Sequence, residues 1–165
     1  MTQFNLGSIS TGTLRPQDLL ETFAATLNQL DKANPLIAQA LDGIASNFGR
    51  GKMLTSHGEA SQLLAENIAL TVKVASYQLV NELADAIQEH CPPFVRFGAH
   101  EGDGADFGFW VDHEALNEAL QDPEYTLING QLYSVPRNEA VLIQNHGTDD
   151  VTVMDMERNV LWSTV

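Results

Sequence analysis

Two consecutive prolines, Pro92 and Pro93, divide this chain into two kinds of sequence. Proline fixes its own φ, lacks a backbone N–H and pushes the preceding residue out of the helical region, so no helix runs through the pair. Upstream, apolar residues recur every three to four positions; downstream, they alternate or come in short runs bounded by Gly, Asn and Asp. These patterns predict helices before the break and mainly strands after it.

On the helical side, Pro16 suits a first turn, and Leu20, Phe23, Leu27 and Leu30 fall on one face, predicting a helix over 15–31. Asn34 before Pro35 reads as an N-cap, and Ile37, Leu41, Ile44 and Phe48 continue a second helix to about residue 48. From Glu59 to about Glu89 a single long helix is expected. One face carries Leu64, Ile68, Thr71 or Val72, Ala75, Leu79, Leu83 and Ile87; a second carries Leu63, Leu70, Val74 and Tyr77. Two apolar stripes imply burial on both sides or a homodimer surface. Residues 1–13 are small, polar and aperiodic, and read as a flexible arm. The segment GRGKMLTSHG at 49–58 lacks the glycine spacing and preceding strand of a phosphate loop, so it reads as a turn.

On the other side, FVRFGAHEGDGADFGFWVDH, from Phe94 to His113, reads as a hairpin with a loop longer than two residues. Alternation places Phe107 and Phe109 on one face and Trp110 on the other, with the phenylalanines as core and Trp110 as an interface candidate. Asp112 is placed to cap a short helix over 113–120 with Leu116 and Leu120 facing inward. Asn129-Gly130 reads as a tight turn between TLI and QLYSV. Strands over 140–144, 151–156 and 160–164 then follow as a meander. The expected fold is α+β: an N-terminal helical half, two short helices and one long, packed on a C-terminal mainly antiparallel sheet with one short helix. The length of 165 residues fits one domain, with an arm at 1–13, a helical part at 14–91 and an α+β part at 94–165.

Charge is the loudest compositional signal, with 22 acidic against 8 basic residues and a net charge of −14. Such a field repels nucleic acid and anionic membrane, and it serves either solubility or attraction to a basic protein surface. Residues 94–165 hold 13 acidic and 3 basic side chains, with no Lys or Arg between Arg96 and Arg137. The candidate partner-binding residues are therefore Glu101, Asp103, Asp106, Trp110, Asp112, Glu114, Glu118, Asp122 and Glu124. The N-terminal sequence has no signal-peptide pattern, no run approaches a membrane span, and the lone Cys91 leaves no internal disulfide. A soluble cytoplasmic protein is expected.

Motifs for chemistry are sparse. Cys91 has no activating neighbour and reads as an inert thiol, and no Ser stands in a nucleophile elbow. No catalytic residue and no cofactor are assigned. The alternative reading is a metal-dependent hydrolase in which His100 and His146, with a carboxylate such as Asp149, supply nitrogen and oxygen ligands. Glu101, Asp103, Asp106, His113 and Asp150 lie near the same turns, yet HExxH and EF-hand spacings are absent, and turn formation accounts for the same acidic letters.

The order GDGADFGFW, a short helix, AVLIQNHGTDDVTV and a terminal Trp162-x-x-Val165 resembles a group of small proteins carried by phages and other bacterial mobile elements. The resemblance covers roughly residues 93–165, and Asn145-His146-Gly147-Thr148 departs from the group's turn at its first and last positions. It implies a mobile-element origin and a bacterial host cytoplasm, and it supplies no catalytic residues to carry over. Together with the charge, it suggests an acidic protein that inhibits a host nucleic-acid-handling or defence complex, of anti-CRISPR or anti-restriction type, by mimicking nucleic-acid charge. A self-associating phage accessory protein, dimerising through the 59–89 helix, is a further alternative.

Overall fold

Leu20, Phe23 and Leu27 are almost wholly removed from water, each contributing roughly 1.5–3 kcal/mol of apolar burial. They lie on the first helix of the computed structural model, which describes residues 4–48, 59–121, 125–128, 131–134, 142–145 and 150–165. Among these, the order is β1 (Gly7–Ser10), α1 (Pro16–Leu30), α2 (Pro35–Phe48), α3 (Glu59–Gln88), β2 (Val95–His100), β3 (Asp103–Val111), α4 (His113–Gln121), β4 (Tyr125–Ile128), β5 (Gln131–Ser134), β6 (Leu142–Asn145), β7 (Val151–Met154) and β8 (Val160–Ser163). The protein is α+β, with its long helices before the double proline and seven of these eight strands after it. A three-stranded sheet runs β1-β3-β2, and a five-stranded antiparallel sheet runs β4-β5-β6-β7-β8 in chain order, the expected meander. No helix among the described residues is long and apolar enough to cross a membrane.

The chain divides into two compact units whose segments interleave. The helical unit comprises Ile9–His90 and Glu101–Asp106; the sheet unit comprises Met1–Ser8, Cys91–His100 and Phe107–Val165. The sequence break at the prolines coincides with one crossing between them.

In the helical unit, α1, α2 and α3 pack on one another. Asn34 Oδ1 accepts the Leu36 N–H at 3.1 Å, so the expected cap forms one residue before Pro35. Two buried faces differ from the expectation. On α2 it is Ala40, not Leu41, that is fully buried, and Leu41 is 57% exposed. A small side chain lets helices approach closely, as at Gly43, where an added Cβ would already touch Leu79. On α3, from Val74 onward, Ser76, Val80, Leu83, Ala86 and Ile87 are buried, while Ala75 is exposed. Leu83 and Ile87 hold the expected line and Leu79 is half-buried on it, so the departure is confined to the upstream turn, where Ser76 and Val80 face the core in place of Ala75.

In the sheet unit, Trp162 is fully buried, and its Nε1–H donates to the Pro93 carbonyl at 2.7 Å. The Asp112 N–H donates to the Phe94 carbonyl at 2.9 Å, tying the start of β2 to the end of β3. Between these two bonds Phe94 adopts a φ of 63°, a conformation that a bulky side chain disfavours by roughly 1–2 kcal/mol. Phe109 packs against Phe97 at 5.1 Å between ring centroids, and Val95, Leu116, Ile143, Val151, Val153 and Met154 are buried with it. At Val153 and Met154 the β7–β8 register shifts, leaving Leu161 without a Cα partner opposite β7.

Residues 4–13, expected as a flexible arm, instead carry β1. Gly12 donates its N–H to the Ala105 carbonyl at 3.0 Å, and Gly7 lies against Gly108. The Phe4 N–H donates to the carbonyl of the bulged Leu161 at 2.7 Å, and its ring meets Phe109 edge-on at 4.8 Å. A four-residue strand has too few positions to show a period, and its partners lie far along the sequence. The β2–β3 strands likewise extend into the Gly/Asp stretch, leaving only Glu101 and Gly102 between them, because ladder bonds depend on backbone geometry more than on composition. The turn reading at 49–58 and the Asn129-Gly130 turn lie outside the described residues.

Candidate functional site

Helix α4 carries the most clearly arranged of the candidate residues. Asp112 Oδ1 accepts the Ala115 N–H at 3.0 Å and the Asp112 carbonyl accepts the Leu116 N–H at 2.9 Å, so this carboxylate is the helix cap. Its position at the positive end of the helix is electrostatically favourable. Leu116 and Ala119 are buried on one side, whereas His113, Glu114, Asn117, Glu118 and Gln121 are exposed on the other. Glu114 and Glu118 stand four residues apart, hence one above the other on that open face. Asp112 thus has a structural duty; Glu114 and Glu118 have none that the fold requires.

Trp110 is half-buried. Its indole Nε1–H donates to the Gly98 carbonyl at 2.9 Å, and the exposed His100 ring lies edge-on to it at 4.7 Å between centroids. Nearby on β2, Arg96 Nη1 donates to the Ala99 carbonyl at 3.1 Å. Trp110 therefore serves the hairpin, with part of its surface still facing solvent.

Glu101, Asp103 and Asp106 belong to the helical unit, whereas Trp110, Asp112, Glu114 and Glu118 belong to the sheet unit. Glu101 and Asp103 are exposed, and Asp103 Oδ1 accepts the Ala105 N–H at 2.9 Å in a turn of the kind its residue type favours. Asp106 is half-buried, and its Oδ1 is a buried oxygen without a hydrogen-bond partner. Leaving such an acceptor unmet costs about 1–3 kcal/mol, which sets Asp106 apart from the solvated acids around it. Asp122 and Glu124 lie outside the described residues, as do His146 and Asp149 of the metal reading. His100, His113 and Asp150 are exposed, and among the described residues no group of three or more His, Cys, Asp or Glu could hold a metal ion.

Cys91 is half-buried, and burial pushes its thiol up to about 11. At neutral pH it stays protonated, which suits the inert role its surroundings in sequence suggest.

No protein-family model matches the chain, and neither a curated protein nor a solved structure matches it. Residue-level chemistry therefore carries the functional reading. Sequence reasoning overlooked the docking of Phe4 and Gly7 on Leu161, Phe109 and Gly108; the only signal in the letters was the uncharged run before Arg15, which is equally compatible with an unstructured arm.

Proposed function

We propose that this protein is a non-enzymatic acidic binding protein whose α4 face meets a basic surface on another protein. The observation that carries this reading is the open stripe of α4, where Glu114 and Glu118 stand exposed in a segment with no Lys or Arg from Arg96 to Arg137. Paired exposed carboxylates raise the negative potential locally and speed encounter with a positive patch. With the resemblance to mobile-element proteins, the reading becomes an anti-defence factor: a protein that occupies the nucleic-acid-binding surface of a host complex inside a bacterial cell.

The test is retention of host proteins on the immobilised chain at low and high salt, beside the double variant Glu114→Lys, Glu118→Lys. Binding should be strong at low salt, weaken as salt rises, and disappear in the variant. Stability should change by no more than about 1 kcal/mol, since both residues are exposed and only Glu114, in the first turn of α4, gains from the helix dipole. Retention that ignores salt, or that survives charge reversal, rules the electrostatic reading out.

A second reading is favoured by the exposure of Val74 (59%) and Tyr77 (41%) on α3, two members of the second apolar stripe. It is self-association through that helix. Sedimentation across a concentration series would detect it, and Val74→Lys should abolish it.

A further inference from the structure

Residues 4–8 lead into β1, an edge strand of the three-stranded sheet. Three groups of the sheet unit receive this segment: the carbonyl of Leu161, which accepts the Phe4 N–H; the ring of Phe109, which meets the Phe4 ring at 85°; and the backbone of Gly108, against which Gly7 is pressed. Each is selective. The Leu161 carbonyl belongs to the bulged residue of an edge strand, so it points to no ladder partner in β7. Phe109 is only 6% exposed with Phe4 in place. At Gly108 any side chain would overlap the Gly7 carbonyl, and Gly7 itself sits at a φ of 118°, where other residues are strained.

We propose that this acceptor is exchangeable: the Phe4–Ser10 segment of a second copy can fill it, giving a strand-swapped dimer. The same contacts form in either arrangement, so the swapped form needs no new surface. Electrostatics does not oppose the passage of this segment between copies. Residues 1–14 carry no charged side chain, although the protein as a whole bears −14, so the exchanged strand meets no like charge of its own. Only Thr11–Arg15 separate β1 from α1, and Gly12 in that connection has a φ of 72°, a conformation from which a glycine turns easily. Short connections of this kind favour opening into an extended, swapped form when chains fold at high concentration.

The experiment refolds the full chain from denaturant at low and at high protein concentration, and then measures the dimer fraction by sedimentation after dilution. The wild type should be monomeric when refolded dilute. When refolded concentrated, it should yield a dimer that persists on dilution, because release requires β1 to leave its sheet. Phe4→Ala should lose that dimer, and Gly108→Val should lose it by closing the acceptor to either strand. Hydrogen exchange on each refolded variant confirms that the sheet unit has formed, and should Gly108→Val fail this check, Phe4→Ala carries the test alone. Val74→Lys separates this dimer from one formed through α3: the swapped dimer survives that change. A wild type that stays monomeric at every refolding concentration overturns the proposal, as does a dimer indifferent to Phe4→Ala.

Discussion

In the helical unit, buried residues follow one another at helical spacing, as Leu20, Phe23 and Leu27 do on α1 and Val80, Leu83 and Ile87 do on α3. In the sheet unit, the decisive contacts join residues far apart in sequence: Trp162 with Pro93, Phe4 with Leu161, Asp112 with Phe94. The first arrangement spreads stability over many similar contacts along each helix. The second concentrates it in a few junctions, each without a substitute, so substitutions at those junctions should reach further than their own contacts.

The largest effect is expected at Trp162. Trp162→Ala should cost about 3–5 kcal/mol in urea unfolding, because it empties a fully buried site. Trp162→Phe keeps most of the apolar volume but leaves the Pro93 carbonyl without its donor, for a cost of about 1–3 kcal/mol. A Phe variant as stable as the wild type would show that the indole nitrogen adds nothing. In the helical unit, Leu83→Ala should cost about 2–5 kcal/mol. Native-state hydrogen exchange sharpens the contrast: the Leu83 variant should lose protection in α1 and α3, and the Trp162 variants in β2, β7 and β8. Loss of protection across the whole chain in both would mean that the units open together.

Next in size is Gly108→Ala, whose new Cβ would meet backbone that cannot swing aside as a side chain can. A loss of about 1–3 kcal/mol is expected, with faster exchange of the Phe4 amide. Unchanged exchange at Phe4 would separate the seating of the strand from the glycine pair.

The smallest effect concerns acid, where each unit offers one carboxylate held below its ordinary value, Asp18 in the first turn of α1 and Asp155 between β7 and β8. Asp18 is held below its ordinary value first by the Thr13 hydroxyl and then by hydrogen bonding and charge from Arg15. Asp155 is lowered first by the Asn159 side chain and then by the Asn159 and Glu157 N–H groups. A carboxylate whose value falls on folding adds stability above its unfolded value, and that stability is lost as pH drops through the folded one. Both contributions should therefore fade below the usual carboxylate range, and Asp18→Asn and Asp155→Asn should each flatten the acid side of the stability profile. Added salt should weaken the Asp18 effect more, since Asp18 pairs directly with Arg15 at 2.7 Å whereas Asp155 is held chiefly by uncharged hydrogen bonds. Equal salt sensitivity would count against this assignment.

The same contrast explains what could be read from the letters. Helix limits emerged closely, because Pro16, Asn34-Pro35 and Pro92-Pro93 act within a few residues of where they stand. The meander was legible for the same local reason. Which side of α2 is buried was less so: Ala40 displaces Leu41 because neighbouring helices select for size, a demand that periodicity does not record, whereas on α3 Leu83 and Ile87 fell where the spacing put them. β1 escaped notice because its reasons to be a strand are Gly108, Phe109 and Leu161. At the candidate site, Asp112 was recognisable as a cap and Glu114 with Glu118 as an exposed pair. The tie from Trp110 to Gly98, and the unmet oxygen of Asp106, depend on strands brought together by the fold.

The bond from Trp162 to Pro93 also sets an order of events during synthesis. The helical residues up to His90 precede every strand except β1, and α1, α2 and α3 can begin to pack while the remainder is still being made. The sheet unit has no such opportunity. The carbonyl of Pro93 waits for an indole made 69 residues later, and Phe4 waits still longer for Leu161. Closure over such separations is slow compared with forming helical turns, so translation should leave the sheet unit open until its last strand emerges.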